Sequence, residues 1–292
     1  MRFAAFIMTY ERPAIIGDTI RALLGQMFPP EKILVVDNST SRETEKVIAS
    51  LNDSRLEYYR VGHNAGPAGA ARIGLERLVS QGYDWIHWAD DDDPVKFSDA
   101  FALLLKHVND RIGVIGAVGS LFDWRTGLRR RYKDYELKGL LPVDSIGGGY
   151  CMIINAKAVN TKTLPDDRLF FGLEEFDFCQ RVKAEGYEIC VLGELLYRYR
   201  EINNKLGVDK KPSLVSKRKF EHLHREYYSY RNAIFLMSYT YEKPMLAARY
   251  TARALGKMLF SFVKGPAFGF RTTRLMFQAI LDGYRGRMGK RV

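Results

Sequence analysis

The sequence predicts an α/β protein: a mostly parallel sheet flanked by helices, followed by a helical C-terminal extension. Three observations lead there. Short apolar runs alternate with segments of helical spacing through the first hundred residues. The apolar runs are nearly continuous, as strands covered on both faces require. From Ser213 onward the pattern turns helical and basic, broken at Pro244 and at "KGPAFGF".

Each element can be justified in turn. Phe3 to Met8 is an apolar run, and Ile15, Ile16, Ile20, Leu23 and Leu24 follow at helical spacing. "KILVVD" (strand), "SRETEKVIASL" (helix), "LEYYRV" (strand), "PAGAARIGLERLVSQG" (helix) and "DWIHWAD" (strand) continue the alternation. "KFSDAFALLLKHV" predicts a helix and "IGVIGAVGSLF" a strand. "DWRTGLRRRYKDYELKG" reads as an exposed loop or hairpin. "GGGYCMIINAKAV" is a glycine turn entering a buried strand, and "EEFDFCQRVKAEG" is a short helix ended by Gly186 before the strand "YEICVLG". A soft boundary is expected near residue 210. It divides a catalytic domain, 1–210, from a basic helical region, 211–292. Within the former, about 1–95 and 96–210 form two parts.

The 292 residues, 47% hydrophobic, suffice for a large core. Cys151, Cys179 and Cys190 lack CxxC spacing and read as reduced core thiols of a cytosolic protein. The N-terminus carries no signal-peptide pattern, and no window reaches ~18 apolar residues. Net charge is +11, but residues 211–292 hold 17 Lys and Arg against 4 Asp and Glu, while the rest hold 28 against 30. The excess sits in the C-terminal part and suits an anionic membrane or a polyanion.

The densest acidic cluster, Asp90 to Asp93, closes the strand "DWIHWAD". If strand alternation persists, Asp90 and Asp92 share one face, and Asp91 and Asp93 the other. Ligands bind beyond the carboxyl ends of parallel strands. Paired hard oxygens there suit Mg²⁺ or Mn²⁺, which would offset the repulsion. A solvated acidic loop is the plainer reading. EF-hand spacing and a P-loop are both absent.

"FIMTYERP", "ILVVDNSTS", "NAGPAGAARIGLE", "WIHWADDDD", "FFGLEEFDFCQRVKAEGY" and "REYYSYRNAIFL" together resemble glycosyltransferase family 2, most nearly its bacterial rhamnosyl- and galactofuranosyltransferase branch. The likeness covers about residues 3 to 235 and continues weakly into "DGYRGRMGKR". It implies a GT-A fold (a Rossmann-like, mostly parallel sheet), a nucleotide-diphosphate sugar donor, a DxD metal motif and one carboxylate base. By that resemblance Thr9 lies beside the nucleotide base, with Tyr10 and Glu11 as neighbours. Asp37 matches the aspartate that binds base or ribose; a turn or capping role accounts for it equally well. Arg72 takes the place of an arginine suited to donor phosphate or base, although Ile73 departs from the pattern. Asn64 and Gly66 shape the loop before that helix.

The same resemblance makes Asp90 and Asp92 the metal pair, with Asp91 on the donor side; a shift to Asp91 and Asp93 stays open. Glu175 is the expected base and Glu174 its reserve, though acids at a helix N-terminus also answer the macrodipole. Asp177 and Arg181 brace that helix. Gly148 and Gly149, after Gly147, fall on the acceptor side; a side chain there would block a ligand's close approach. Relatives often place a metal-binding His after the last strand. This chain has "LLYRYREIN" instead, so Arg198 or Arg200 is expected on the diphosphate. His63, His87, His107, His222 and His224 form no metal pair.

The expected function is an inverting transferase moving a sugar from a UDP- or dTDP-sugar to a glycan or lipid-linked acceptor in cell-wall or surface polysaccharide synthesis. Its expected place is the cytoplasm, peripheral on the inner face of the membrane through the basic tail. Ordinary packing of amphipathic helices explains that tail as well. Nucleic acid is not an expected partner, because no RNA-binding aromatic signature or zinc finger is present. The alternatives are a non-catalytic GT-A-like scaffold, a polyanion-binding protein and a two-carboxylate glycoside hydrolase.

Overall fold

The computed structural model describes residues 1–208 and 218–292. The expected boundary at residue 210 and the helix start at Ser213 lie outside the described residues. Two compact units are present. The first comprises Met1–Leu121, Arg131–Asp166 and Glu175–Gly207; the second comprises Phe122–Arg130, Asp167–Glu174 and Val208–Val292.

Unit 1 opens with β1 (Phe3–Thr9), α1 (Pro13–Leu24), β2 (Lys32–Asp37), α2 (Glu43–Ser50), β3 (Leu56–Arg60), α3 (Gly66–Ser80), β4 (Trp85–Asp90) and α4 (Ala100–Leu105). β5 (Ile112–Gly116) and β6 (Gly119–Asp123) follow as two strands where one was expected. After β7 (Leu128–Arg130), which belongs to unit 2, come β8 (Leu140–Pro142), β9 (Ser145–Ile146), β10 (Met152–Asn155), α5 (Glu174–Ala184), β11 (Glu188–Leu192) and α6 (Gly193–Ile202). The main sheet runs β3-β2-β1-β4-β10-β5-β11-β8. Only β10 and β8 run against the rest. β9 pairs antiparallel with β6 at Gly119 and Ser120.

The apolar strands divide by parity, which is why they read as unbroken runs. Ala4, Phe6, Met8, Leu34, Val36, Ile86 and Trp88 pack on one face with Ala71 and Leu75 of α3 and Phe178 and Val182 of α5. Phe3, Ala5, Ile7, Ile33 and Val35 pack on the other with Ile16, Ile20 and Leu23 of α1 and Phe101 and Leu104 of α4. The parallel register sets Thr9 beside Asp37, and Met8 beside Asp90. Three carboxyl ends therefore finish at one edge. Cys151, Cys179 and Cys190 are buried and form no disulfide.

Unit 2 is not the C-terminal region alone. It contains α7 (His224–Phe235), α8 (Pro244–Phe260) and α9 (Pro266–Tyr284). It also takes in two segments that sequence reading assigned to the catalytic domain, because side chains of these helices hold them. Arg253 donates to the carbonyls of Thr126 (2.8 Å) and Gly127 (3.3 Å), and the Tyr250 hydroxyl donates to Gly127 (2.9 Å). Buried Asn232 donates through Nδ2 to the carbonyls of Leu169 (3.0 Å), Phe171 (3.0 Å) and Gly172 (2.7 Å). Buried Arg231 donates to Leu169 (2.8 Å) and Gly289 (2.6 Å) and lies over the Tyr228 ring. The "DGY" segment packs back on α7: the Tyr227 hydroxyl donates to Asp282, and a Cβ on Gly283 would stand 3.0 Å from the Arg231 carbonyl. No helix of the described residues is long and apolar enough to cross a membrane.

Phe170 (φ 60°), Gly172 (φ 82°) and Leu173 (φ 70°) all have left-handed backbone, immediately before Glu174. Two non-glycine residues in that region cost strain, which the surrounding bonds must offset. Asn232→Ala would strip the carbonyls of Phe171 and Gly172 of their donor. The expected result is a loss of about 1–3 kcal/mol in unfolding free energy. Amide exchange at 170–173 should accelerate by more than global unfolding explains. Unchanged protection there would refute the clamp.

Candidate active site

The site is built where β1, β2 and β4 end. β4 stops at Asp90, so the alternation expected through Asp93 does not persist. Asp91 and Asp92 instead share one cation. Arg12 Nη1 donates to Asp91 Oδ1 (3.1 Å) and to Asp92 Oδ2 (2.6 Å). Asp91 is 6% exposed, and its other oxygen accepts from the Thr9 hydroxyl at 2.7 Å. The Thr19 hydroxyl donates to the Asp91 carbonyl at 2.8 Å. Burial lifts the Asp91 pKa, with the Thr9 hydroxyl and Arg12 opposing it. Asp91 is therefore a staple between β4, β1 and α1. Asp93 pairs with Lys96 at 3.1 Å.

Asp90 differs from the other three. Among the described residues its carboxylate has no hydrogen bond or ion pair. Burial, and then the negative charges of Glu175, Asp92, Asp91 and Asp93, push its pKa from 3.8 up to about 8. The indole Nε1–H of buried Trp88, two residues earlier, has no acceptor among the described residues. Glu175 is half-buried at the start of α5, and its Oε1 accepts from the Gly148 N–H at 3.5 Å. Its charge acts on Asp90 more than any other does. The structure thus brings together Asp90, Glu175 and the glycine turn. Glu174 is buried, 5% exposed, and presents little surface for chemistry.

The glycines have a reason that sequence reading missed. A Cβ on Gly148 would lie 2.8 Å from Trp88 Cδ1, and one on Gly149 would lie 2.5 Å from Asp93 Oδ2. Close approach by the protein's own side chains requires them, whether or not a ligand also does.

On the β1–β2 side, Glu11 has left-handed backbone (φ 51°) and grips the loop after β2. Its carboxylate accepts from the Thr40 hydroxyl (2.6 Å), the Thr40 N–H (2.8 Å) and the Ser41 hydroxyl (2.8 Å). Its own N–H donates to the Ser39 hydroxyl at 2.7 Å. The Thr40 hydroxyl first, then the Ser41 hydroxyl, lower its pKa to about 2. Tyr10 is exposed beside it. Asp37 has no exposed surface; it accepts from the Ser39 N–H (2.8 Å) and the Tyr58 hydroxyl (2.8 Å). The turn reading describes it, and direct contact with a nucleoside would require it to open. Asn64 accepts from the Gly66 N–H, and the Gly66 carbonyl accepts from Asn38, shaping the loop before α3.

Three arginines are placed away from the expected role. Arg72 pairs with Glu76 across one exposed turn of α3 at 3.2 Å. Arg198 makes a double bond pair with Asp99 (2.8 and 3.0 Å) and lies over Phe97. Arg200 is buried on Asp134 and the Tyr132 carbonyl. All three are paired with carboxylates of the protein itself. Arg181 braces α5 through Asp177 at 2.6 Å. His87 is a core residue, with burial lowering its pKa to about 4. Arg12, Thr19, Ser39 and Trp88 were missed. Only Arg12 carried a signal: a cation at the end of the first strand, in a site whose acids need one.

The acidic corner fits a hard divalent cation in its chemistry: Asp90 is a buried carboxylate without a hydrogen-bond partner. No cluster of three or more His, Cys, Asp or Glu suited to a metal is found among the described residues. Any remaining ligands would have to come from substrate or water.

The profile of "Glycosyl transferase family 2" matches residues 4–161. The chain is 25% identical to the galactofuranosyltransferase GlfT1 of Mycolicibacterium smegmatis over 258 residues, 80% of this chain and 82% of that protein. It is also 25% identical to the GalNAc(5)-diNAcBac-PP-undecaprenol beta-1,3-glucosyltransferase of Campylobacter jejuni, over 72% of this chain and 69% of that one. Among solved structures, its fold resembles the mannosyltransferase PcManGT of Pyrobaculum calidifontis, in complex with GDP-Man and Mn2+ (TM-score 0.54, 14% identity, 97% of this chain and 87% of that one). It likewise resembles S. aureus TarS 1-349 in complex with UDP (TM-score 0.52, 14% identity, 98% and 92%).

The raised Asp90 pKa has a stability consequence. Between about pH 4 and pH 8 the folded chain keeps a proton that the unfolded chain has released, so without cation Asp90 destabilises the fold increasingly as pH rises through that window. Asn has no such proton to lose. Asp90→Asn should therefore gain roughly 1–3 kcal/mol over wild type between pH 5 and pH 8, measured by urea unfolding in EDTA. A difference independent of pH would show that Asp90 ionises normally.

Proposed function

The chain belongs to glycosyl transferase family 2, and on that premise we propose that it is an inverting, metal-dependent hexosyltransferase. Its donor is a UDP- or dTDP-sugar, with galactofuranose or rhamnose favoured. Its acceptor is a glycan or lipid-linked hydroxyl in cell-wall or surface polysaccharide synthesis, reached at the inner face of the membrane. One observation carries the reading: a partly exposed carboxylate, Glu175, stands against a buried carboxylate, Asp90, at the carboxyl edge of the parallel sheet. Two acids with such different surroundings can divide the labour.

In this mechanism Glu175 accepts the acceptor hydroxyl's proton as that oxygen bonds to the anomeric carbon. The bond from that carbon to the diphosphate oxygen breaks on the opposite side, and its electron pair leaves with the diphosphate. Asp90 and Asp92 would hold Mg²⁺ or Mn²⁺. Such a cation, when bound, offsets charge on a departing diphosphate, so no protein acid is needed there. Arg12 keeps Asp91 and Asp92 in place, and Thr9 and Thr19 fix the strand end beneath them. Glu11 holds the Ser39–Ser41 turn at the edge where the nucleoside is placed. Gly148 donates its N–H to Glu175 and steadies the base.

A thermal-shift panel of UDP- and dTDP-sugars, with and without Mn²⁺, identifies the donor by mass action on the folded state. Glu175→Gln should lose about 10²–10⁴-fold in turnover while donor protection persists. Lost donor protection in that variant would assign Glu175 to the donor side. Asp92→Asn should weaken only the Mn²⁺-dependent part of the shift. An unchanged Mn²⁺ titration would move that ligand role to another aspartate.

A further inference from the structure

Besides the apolar face it buries at Leu246, Ala247 and Ala254, α8 leaves a second apolar stripe exposed. Met245, Ala248, Ala252, Leu255 and Leu259 fall within an arc of about 80° at helical spacing, and all five are exposed. Met245 is 73% and Leu259 75% exposed. The cations of the same helix are spent on the protein. Arg249 donates to the Arg125 carbonyl, Arg253 to the carbonyls of Thr126 and Gly127, and Lys257 to Glu226 at 3.2 Å. A surface helix ordinarily shows water its charges and hides its apolar stripe. Here an apolar stripe also stays outside, next to exposed Arg249.

The stripe continues into the turn between α8 and α9. Phe260, Phe262 and Val263 are exposed, Val263 by 79%. The Phe262 ring meets Phe270 edge to face, with centroids 5.3 Å apart. Gly269 lets them meet, since a Cβ there would lie 2.4 Å from the Phe262 ring. On α9, exposed Phe270 and Phe277 are interleaved with exposed Arg271 and Arg274. An exposed apolar surface of this extent marks an interaction site.

Charge decides the occupant. Residues 243–281 contain seven Lys and Arg and no Asp or Glu. A second copy docked face to face would bring exposed Lys264, Arg271 and Arg274 against their own counterparts. An anionic bilayer surface would instead take the apolar stripe into its interface and the cations onto its headgroups. Neither helix can span the bilayer, so both would lie in its plane.

We infer that the α8–α9 hairpin is a membrane-docking surface: Leu255, Leu259, Phe262 and Val263 enter the acyl boundary, while Lys264, Arg271 and Arg274 meet anionic headgroups. It deepens the proposed inner-leaflet location and names the surface that serves it, but the observations beneath it do not involve the catalytic site.

The test is co-sedimentation of the whole chain with vesicles of phosphatidylglycerol and phosphatidylcholine, and with phosphatidylcholine alone. Wild type should partition to the anionic vesicles and lose binding at high salt. Leu259→Asp with Val263→Asp should weaken partition by ~10-fold or more, and Arg274→Glu by about fivefold or more. Both sites are exposed, so thermal midpoints and donor-induced heat protection should match wild type. Val263→Trp should shift its emission to the blue with anionic vesicles only. Equal binding by the double variant, or equal binding to neutral vesicles, would overturn the proposal. So would a wild-type dimer that the double variant dissolves. Turnover on a water-soluble acceptor separates this failure from failure of the transferase reading, because the double variant should keep it.

Discussion

Four adjacent carboxylates at the end of a buried strand are an electrostatic liability, and much of unit 1 is arranged around compensating it. Arg12 bridges Asp91 and Asp92, the Thr9 hydroxyl takes the far side of Asp91, and Lys96 takes Asp93. The parallel register of β1 with β2 and β4 is what delivers Thr9 and the following Arg12 to that place. Among the described residues, only Asp90 of the four is left to burial and to its neighbours' charge. That residual imbalance sets Asp90 apart from the other three carboxylates.

The two units answer different physical demands. Unit 1 buries both faces of a sheet and exposes its carboxyl edge, where substrate can reach partly exposed groups. Unit 2 spends buried donors on backbone carbonyls. Arg231 and Asn232 hold the left-handed segment that runs directly into Glu174 and Glu175. The "YRNAIF" stretch is thus a backbone clamp, not a reactive group. Strain in the loop before Glu174 and Glu175 is held by bonds from a different part of the chain.

Much of the fold was legible because parity and period are local properties. Strands covered on both faces must be nearly continuously apolar: "FAAFIM" and "ILVV" are wholly so, and "WIHWA" is but for His87. Glu175, Asp90 and the glycine turn were also legible as a set, and they do converge. The arginines were not. Arg72, Arg198 and Arg200 look alike in a sequence, yet each finds a carboxylate nearby that no local pattern announces. Likewise Asp37 reads equally as ligand and as turn until Tyr58 and Ser39 are seen on its two oxygens.

By itself the sequence determined the order of strands and helices through α4, the position of the acidic run at a strand's end, and the basic excess of the C-terminal part. These follow from side-chain chemistry repeated at fixed spacing. Only the tertiary structure decided which aspartate stays unpaired, because the groups that satisfy Asp91 lie 72 to 82 residues earlier in the chain. It alone decided that Arg249, Arg253 and Lys257 of α8 bond to the protein while a second apolar stripe stays exposed. Which side of an amphipathic helix faces water is set by what the rest of the chain offers its charges, and no single segment contains that information.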